Sequence, residues 1–385
     1  MVSSDHRLPI ADTAGLPGPA SWPLQPVKRV RALEYTRRPI NVLMLCDQFV
    51  LPYRVLRCFD AAGAAVHVLG GPGSQGLRFS RYCRSYRPSR YGFATLCDAI
   101  SQEVNACITE CAIDLVIAGS HQSTRTLIAL KPALSAPCFP MPTLDQFDLL
   151  NNKWSFTQLC RQLGIRCPRS ELVANRTELL RQLSSGETAL PCIAKPLDLH
   201  GARGVIPIKS QKDVDVTRTI EYGPILVQEY VEGEDISTAV YCDHGKILAF
   251  TAFKRKRATY WTIQSREIQD EVAKLADVTQ ITGVLCFCIK IGRDGTNYWL
   301  ECNPRFFYSM PLSMLAGINF AAFGLPHAPP NLRPSVPTGT NVRTLKAIAA
   351  DLWRPWCLTS RDGAFVWSLV ADPVPSVREL LGIDL

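Results

Sequence analysis

Trp299-Leu300-Glu301-Cys302-Asn303-Pro304-Arg305 reads as an apolar strand that ends in a cluster of polar groups. Residues i and i+2 of a β-strand share a face. Glu301 and Asn303 therefore present two hard oxygen donors side by side, which suits Mg²⁺ shared with phosphate oxygens. Pro304 has no N–H and stops the ladder. Arg305 then supplies a planar cationic fork matched to phosphate or carboxylate. An edge strand with a polar end accounts for the same residues taken alone, so the weight falls on what lies upstream.

Upstream, Cys192-Ile193-Ala194-Lys195-Pro196 places a lysine at the end of an apolar strand, and His200-Gly201-Ala202-Arg203-Gly204-Val205 follows. Glycines let backbone N–H groups approach an anion closely, and a lysine behind them acts as a point charge on polyphosphate. Leu226-Val227-Gln228-Glu229-Tyr230-Val231 is a strand edge that can offer donors and acceptors to an adenine, with Asp235 beyond it for ribose hydroxyls. Hairpins with acidic ends give the same pattern. Lys153 opens a helix in Asn151-Asn152-Lys153-Trp154, where an exposed lysine is the ordinary reading. Lys254-Arg255-Lys256-Arg257 is either a solvated, charged edge strand or a source of one cleft cation, with Arg255 and Arg257 on one face.

The chain has 385 residues, 47% hydrophobic and 20% charged, which describes two or three ordinary globular domains. Its net charge of +8 is scattered, and a dense basic face interleaved with aromatics is lacking. An anionic small molecule is thus favoured over nucleic acid. The 15 cysteines are dispersed in apolar runs without a C-x-x-C, so reduced thiols in a cytoplasmic protein are expected. No apolar run approaches the ~18 residues of a membrane span. Gly70 to Gly76 follows the second apolar run rather than the first and contains a proline, so it reads as a turn and not as a dinucleotide fingerprint.

Residues 1–39 read as a disordered leader. Apolar runs at 41–46, 65–70 and 115–118 alternate with helical stretches at 53–62 and 93–112, which argues a small doubly wound parallel α/β domain over 40–148. A helix is expected over 145–164, strand–loop–strand over 191–210, three strands over 225–253, a helix over 268–281 and a hairpin over 284–302. A Pro-rich linker and a C-terminal helix at 341–353 follow, with a tail that resists reading.

The ordered set closed by Glu301-Cys302-Asn303-Pro304-Arg305 resembles the ATP-grasp superfamily of carboxylate–amine ligases, biotin carboxylase-like enzymes and the carbamoyl phosphate synthase large chain. Arg81-Tyr82-Cys83-Arg84-Ser85-Tyr86 and Ile113-Asp114-Leu115-Val116-Ile117 look like matching segments of the domain that precedes the fold in such ligases. The resemblance implies two α+β subdomains clasping ATP over 149–328, with a lid at about 168–225, and a tail from 329. It implies that Lys153 and Lys195 contact the phosphates under a mobile loop of Gly201, Ala202, Arg203 and Gly204. Gln228, Glu229, Tyr230 and Val231 would line the adenine, with Asp235 on the ribose and Arg255 as the cleft cation. Glu301 and Asn303 would hold Mg²⁺, or Mn²⁺ in its place, while Arg305 and Lys195 stabilise the transferred phosphoryl group. The partners implied are a small carboxylate and an amine, and a homodimer is the default assembly.

One position departs from the family. The strand before this one usually ends in Asp, Glu or Gln on the metal, and here Cys288 holds that place. A thiol is a poor partner for Mg²⁺. A weakened metal site with activity retained, a different metal preference, and a degenerate ATP-binding module remain open, the first being favoured.

Overall fold

The computed structural model describes residues 38–381 apart from 94–96, 200, 327–331, 352 and 354. The expected leader, except its last two residues, and His200 lie outside the described residues.

Four parallel strands, β1 (Ile40–Cys46), β2 (Ala64–Gly70), β3 (Cys83–Pro88) and β4 (Leu115–Ala118), stand in the order β3-β2-β1-β4. Alternation along β1 sends Val42, Met44 and Cys46 to the helix Val50–Ala61, and Leu43 and Leu45 to the helix Asp98–Glu110. Both faces are covered, as the continuous apolar runs require. β3 is an edge strand whose alternation is blurred by Arg84, Arg87 and Pro88, and only the family resemblance points to it.

The next sheet consists of β5 (Ser170–Val173), β6 (Cys192–Pro196), β7 (Ile206–Ile208) and β8 (Ile225–Glu229) in the order β5-β8-β6-β7, all pairs antiparallel. The helix Arg176–Ser185 covers it through Leu179 and Leu183. The largest sheet runs β13-β12-β9-β10-β11-β14, from β9 (Gly233–Asp243), β10 (Lys246–Lys256), β11 (Thr259–Ile263), β12 (Gly283–Gly292), β13 (Asn297–Asn303) and β14 (Asn341–Arg343). One face packs on the helices Lys153–Gln162 and Arg266–Thr279. The other shares a core with the parallel sheet, where the Phe139 ring lies 5.7 Å from Phe59 and 5.1 Å from Phe306.

The stretch 145–164, expected to be one helix, is two: Leu144–Asn151 and Lys153–Gln162. Asn152 breaks it by turning its side-chain oxygen onto the N–H groups of Trp154 and Ser155, an N-cap in competition with helix continuation. The expected helix at 341–353 is also corrected. Residues 341–343 pair with β11, and a short helix, Leu345–Ala350, follows. Tertiary pairing overrides local propensity there.

The tail forms the helices Ser360–Val370 and Pro373–Leu381 and folds back on the N-terminal domain. Glu379 accepts from Arg54 Nε at 2.6 Å and pairs with Arg57 at 3.1 Å, and Ser80 donates to Asp372 at 2.6 Å. Among the described residues no helix is long and apolar enough to cross a membrane.

Trp299 anchors the edge of the largest sheet. It is fully buried, edge-on to Phe287 at 5.1 Å, and its indole N–H donates to Glu271 at 2.8 Å. Trp299→Ala is expected to cost about 3–5 kcal/mol, read as a lowered urea midpoint.

Candidate active site

The polar end of β13 meets both lysines. Glu301 Oε2 lies 3.5 Å from Lys153 Nζ, which is buried and donates to the Leu199 carbonyl at 2.6 Å. Lys195 Nζ, equally buried on β6, donates to Gln228 Oε1 at 2.8 Å and to the Leu300 carbonyl at 3.4 Å. Two strands of the four-stranded sheet and one of the largest sheet therefore converge at a single point. Gln228, read from the sequence as adenine lining, places its side chain on Lys195 and on Ser170 Oγ at 3.0 Å.

Two buried cations and one carboxylate perturb each other. Burial pushes Lys195 down to about 8; the Glu301 charge opposes this and Lys153 adds to it. Burial acts to raise Glu301, but Lys153 and Lys195 outweigh it and hold the carboxyl below its ordinary range. Folding therefore lowers the Lys195 value, so the native state binds fewer protons than the unfolded chain between about 8 and 10.5. Stability contributed by this group rises with pH across that window, while its positive charge is lost. Phosphate affinity at subsaturating ATP is expected to fall as pH passes about 8, and Lys195→Arg should flatten the profile; titrations across that range check it.

Arg305 is buried, and burial pulls its guanidinium below its ordinary value. Its Nη2 donates to Asn303 Oδ1 at 2.7 Å and its Nε approaches His121 Nδ1 at 3.3 Å. Phe306, next in sequence, is held by Phe59 and Phe139 and fixes where the arginine emerges. Asn303 Nδ2 donates to Glu301 Oε1 at 3.4 Å while its Oδ1 accepts from Arg305, so the two side chains share a face but the asparagine oxygen is turned to the arginine.

Cys288 sits directly across the ladder from Glu301, and Cys286 across from Asn303. Burial, helped by the Glu301 charge, pushes the Cys288 thiol well above its ordinary value.

The remaining residues are placed as follows. Gly201, Ala202 and Gly204 are exposed and have φ of +65°, +60° and +70°, the left-handed region glycine favours, and Arg203 is exposed among them. Glu229 pairs loosely with Arg169 at 3.4 Å, and Lys209 stands 5.8 Å from the Tyr230 ring, with Val231 next in the chain. Asp235, on β9, pairs with Lys290 at 2.8 Å. Arg255 is exposed at the end of β10 and donates to the Arg257 carbonyl at 3.1 Å. By alternation from Phe253, which pairs with Ser237 opposite Cys288, Arg255 shares the face of Cys288 and Glu301. Sequence reasoning missed His121. It begins a helix just past β4, at the carboxyl end of a parallel strand, where ligands of such sheets gather, and that was the available signal.

The family described as "ATP-grasp in the biosynthetic pathway with Ter operon" matches residues 221–348, which carry β8 to β14 and the Glu301 cluster. A carboxyaminoimidazole ribonucleotide synthase from Aspergillus clavatus, complexed with ATP, superposes with a TM-score of 0.63 at 14% identity, covering 82% of this chain and 87% of that one. The chain has the ATP-grasp fold. An L-amino acid ligase from Bacillus licheniformis shares the ATP-grasp architecture at TM-score 0.59 and 16% identity, over 78% of each chain. In sequence, the carbamoyl phosphate synthase large chain of Deinococcus deserti is 25% identical over 181 residues, 41% of this chain. The chain spans only 17% of that relative's length.

Proposed function

We propose that the chain is an ATP-dependent ligase joining a small carboxylate to an amine or similar nucleophile through an acyl phosphate. The observation that carries this reading is the meeting of Lys153, Lys195 and Glu301, with Arg305 beside them, where two sheets come together. Two buried cations are costly unless they serve an anion, and among the described residues Glu301 is the one carboxylate that pairs with either. A polyphosphate supplies what is missing.

Mg²⁺ fits in part: Glu301 offers a hard carboxylate, the Asn303 oxygen on the same face accepts from Arg305 and would have to turn to the ion, and Cys288 adds no oxygen. Held there, the ion would neutralise charge on phosphate oxygens. The chain's own residues do the rest. Lys195 and Lys153 draw the terminal phosphates to the edge of β13, and Arg305 faces the charge that develops as the phosphoryl group moves to the carboxylate. Gln228 keeps Lys195 aimed, and His121 does so for Arg305. Closure of the 201–204 loop would exclude water until the amine arrives. Cys288 is the one observation that favours a second reading, a module on this fold that binds ATP without turnover.

Calorimetric titration of ATP with and without Mg²⁺, followed by a screen of carboxylate and amine pairs for ADP release, tests the assignment. Saturable binding plus ADP release that requires both substrates is expected. Binding with no ADP release in any pair would favour the second reading.

A further inference from the structure

We propose that the carboxylate substrate bears a short aliphatic substituent, of one or two carbons, seated in an apolar cavity beside Arg305. The inference rests on the ligase reading above and adds to it the class of acid. Three observations carry it. The first is the cavity, which lies where the end of β4, the chain around Phe139, the start of β12 and the turn after β13 meet. Ala118, Phe139, Met141, Val284 and Phe306 wall it together with Arg305. Its volume is about 30 Å³. A single water needs roughly 10–15 Å³, so there is room for one or two carbon atoms and none for a ring.

The second is charge. Arg305 is the one charged side chain in the wall, and it is buried. Its Nε, Nη1 and Nη2 donate to His121 Nδ1 at 3.3 Å, the Phe306 carbonyl at 3.3 Å and Asn303 Oδ1 at 2.7 Å. None of these acceptors is a carboxylate, and a guanidinium carries five N–H groups, so two stay available among the described residues. A buried cation without an acid calls for an anion, and a substrate carboxylate supplies it. A second carboxylate in the cavity would find no such partner, which excludes dicarboxylic acids. The third is stiffness. The Phe139 ring is held by Phe59, Phe306 and Tyr241 at 5.7, 5.1 and 6.3 Å, so the wall does not collapse to close the gap. The Thr124 hydroxyl, which also borders the cavity, is spent on the Ser120 carbonyl at 2.7 Å. Apart from Arg305 the wall offers water no free side-chain group, and an aliphatic group is the occupant that fits.

The test uses the full chain with ATP, Mg²⁺ and hydroxylamine as the nucleophile, and reads ADP and hydroxamate. Acetate, propionate, butyrate, pentanoate, phenylacetate and succinate are compared, each also as its 2-amino acid. In whichever series turns over, the acid with a methyl or ethyl substituent should exceed the rest in kcat/KM by about tenfold or more, the discrimination one methylene gives in an apolar pocket. Val284→Ala should move the optimum to a longer chain, and Ala118→Val should move it back to the unsubstituted acid. ATP affinity should stay unchanged in both, since neither residue belongs to the phosphate cluster. Val284→Ala, which only removes two carbons, keeps the test in hand if Ala118→Val fails to fold. An optimum that stays put in folded Val284→Ala would overturn the inference, as would a wild type that is indifferent to the substituent or prefers phenylacetate or succinate. Either result leaves the ligase reading standing. ATP binding without ADP release from any acid would overturn the ligase reading and the inference with it.

Discussion

Lys195→Ala is expected to weaken ATP binding about a hundredfold and to lower turnover by about a hundred- to a thousandfold, the scale of losing one group aimed at developing charge. The fold should survive. Wild type already carries the desolvation cost of a buried ammonium, visible in its lowered titration point, and the variant removes it. Against this, Gln228 Oε1 loses its donor at 2.8 Å, a penalty of about 1–3 kcal/mol. Lys195→Met keeps the stem volume and separates packing from charge. Isothermal titration gives the affinity, and thermal unfolding shows whether the two stability effects offset. Near-normal ATP binding in a folded Lys195→Ala would remove the lysine from the site.

Glu301→Gln should have the second large effect, of a different kind. It leaves Lys153 and Lys195, both buried, without the carboxylate between them. Breaking such a cluster on one side costs about 3–5 kcal/mol, because the remaining charges stay uncompensated. The loss should be partly reversed by a polyphosphate, which takes over as counter-ion, so ATP without metal should raise the melting temperature of the variant more than that of wild type. Divalent-ion-dependent turnover should fall by orders of magnitude. A purely structural Glu301 would show the stability loss without the unequal rescue.

How far the sequence foretold these features depends on the range of the forces involved. Alternation and apolar runs located β1, β2, β4 and the β12–β13 hairpin because each is set by burial of consecutive residues. The turn inside that hairpin is equally local, with Gly295 at a φ of +79°. Asn152 was harder, since whether an Asn caps or continues a helix depends on where the preceding chain must go. β14 and the returning tail were out of reach. Their partners, Tyr260 for Val342 and Arg54 for Glu379, lie about eighty and more than three hundred residues away in the chain.

For the site, Glu301, Asn303, Arg305, Lys153 and Lys195 were named from strand-end chemistry and resemblance, and they lie in a single cluster. The resemblance also put Gln228 on the adenine; its register opposite Ile193 sets its side chain on the same sheet face as Lys195, from which it accepts. His121 went unread because its meaning depends on Arg305, which is far along the chain and close only in the fold.

The most direct test of the central claim follows oxygen. Once a carboxylate is found that supports ADP release, it is supplied with a heavy-oxygen label in the carboxyl group, and the released phosphate is analysed by mass spectrometry. An acyl-phosphate intermediate predicts that one labelled oxygen passes from the carboxylate to phosphate in each turnover. Unlabelled phosphate formed together with ligated product would contradict it.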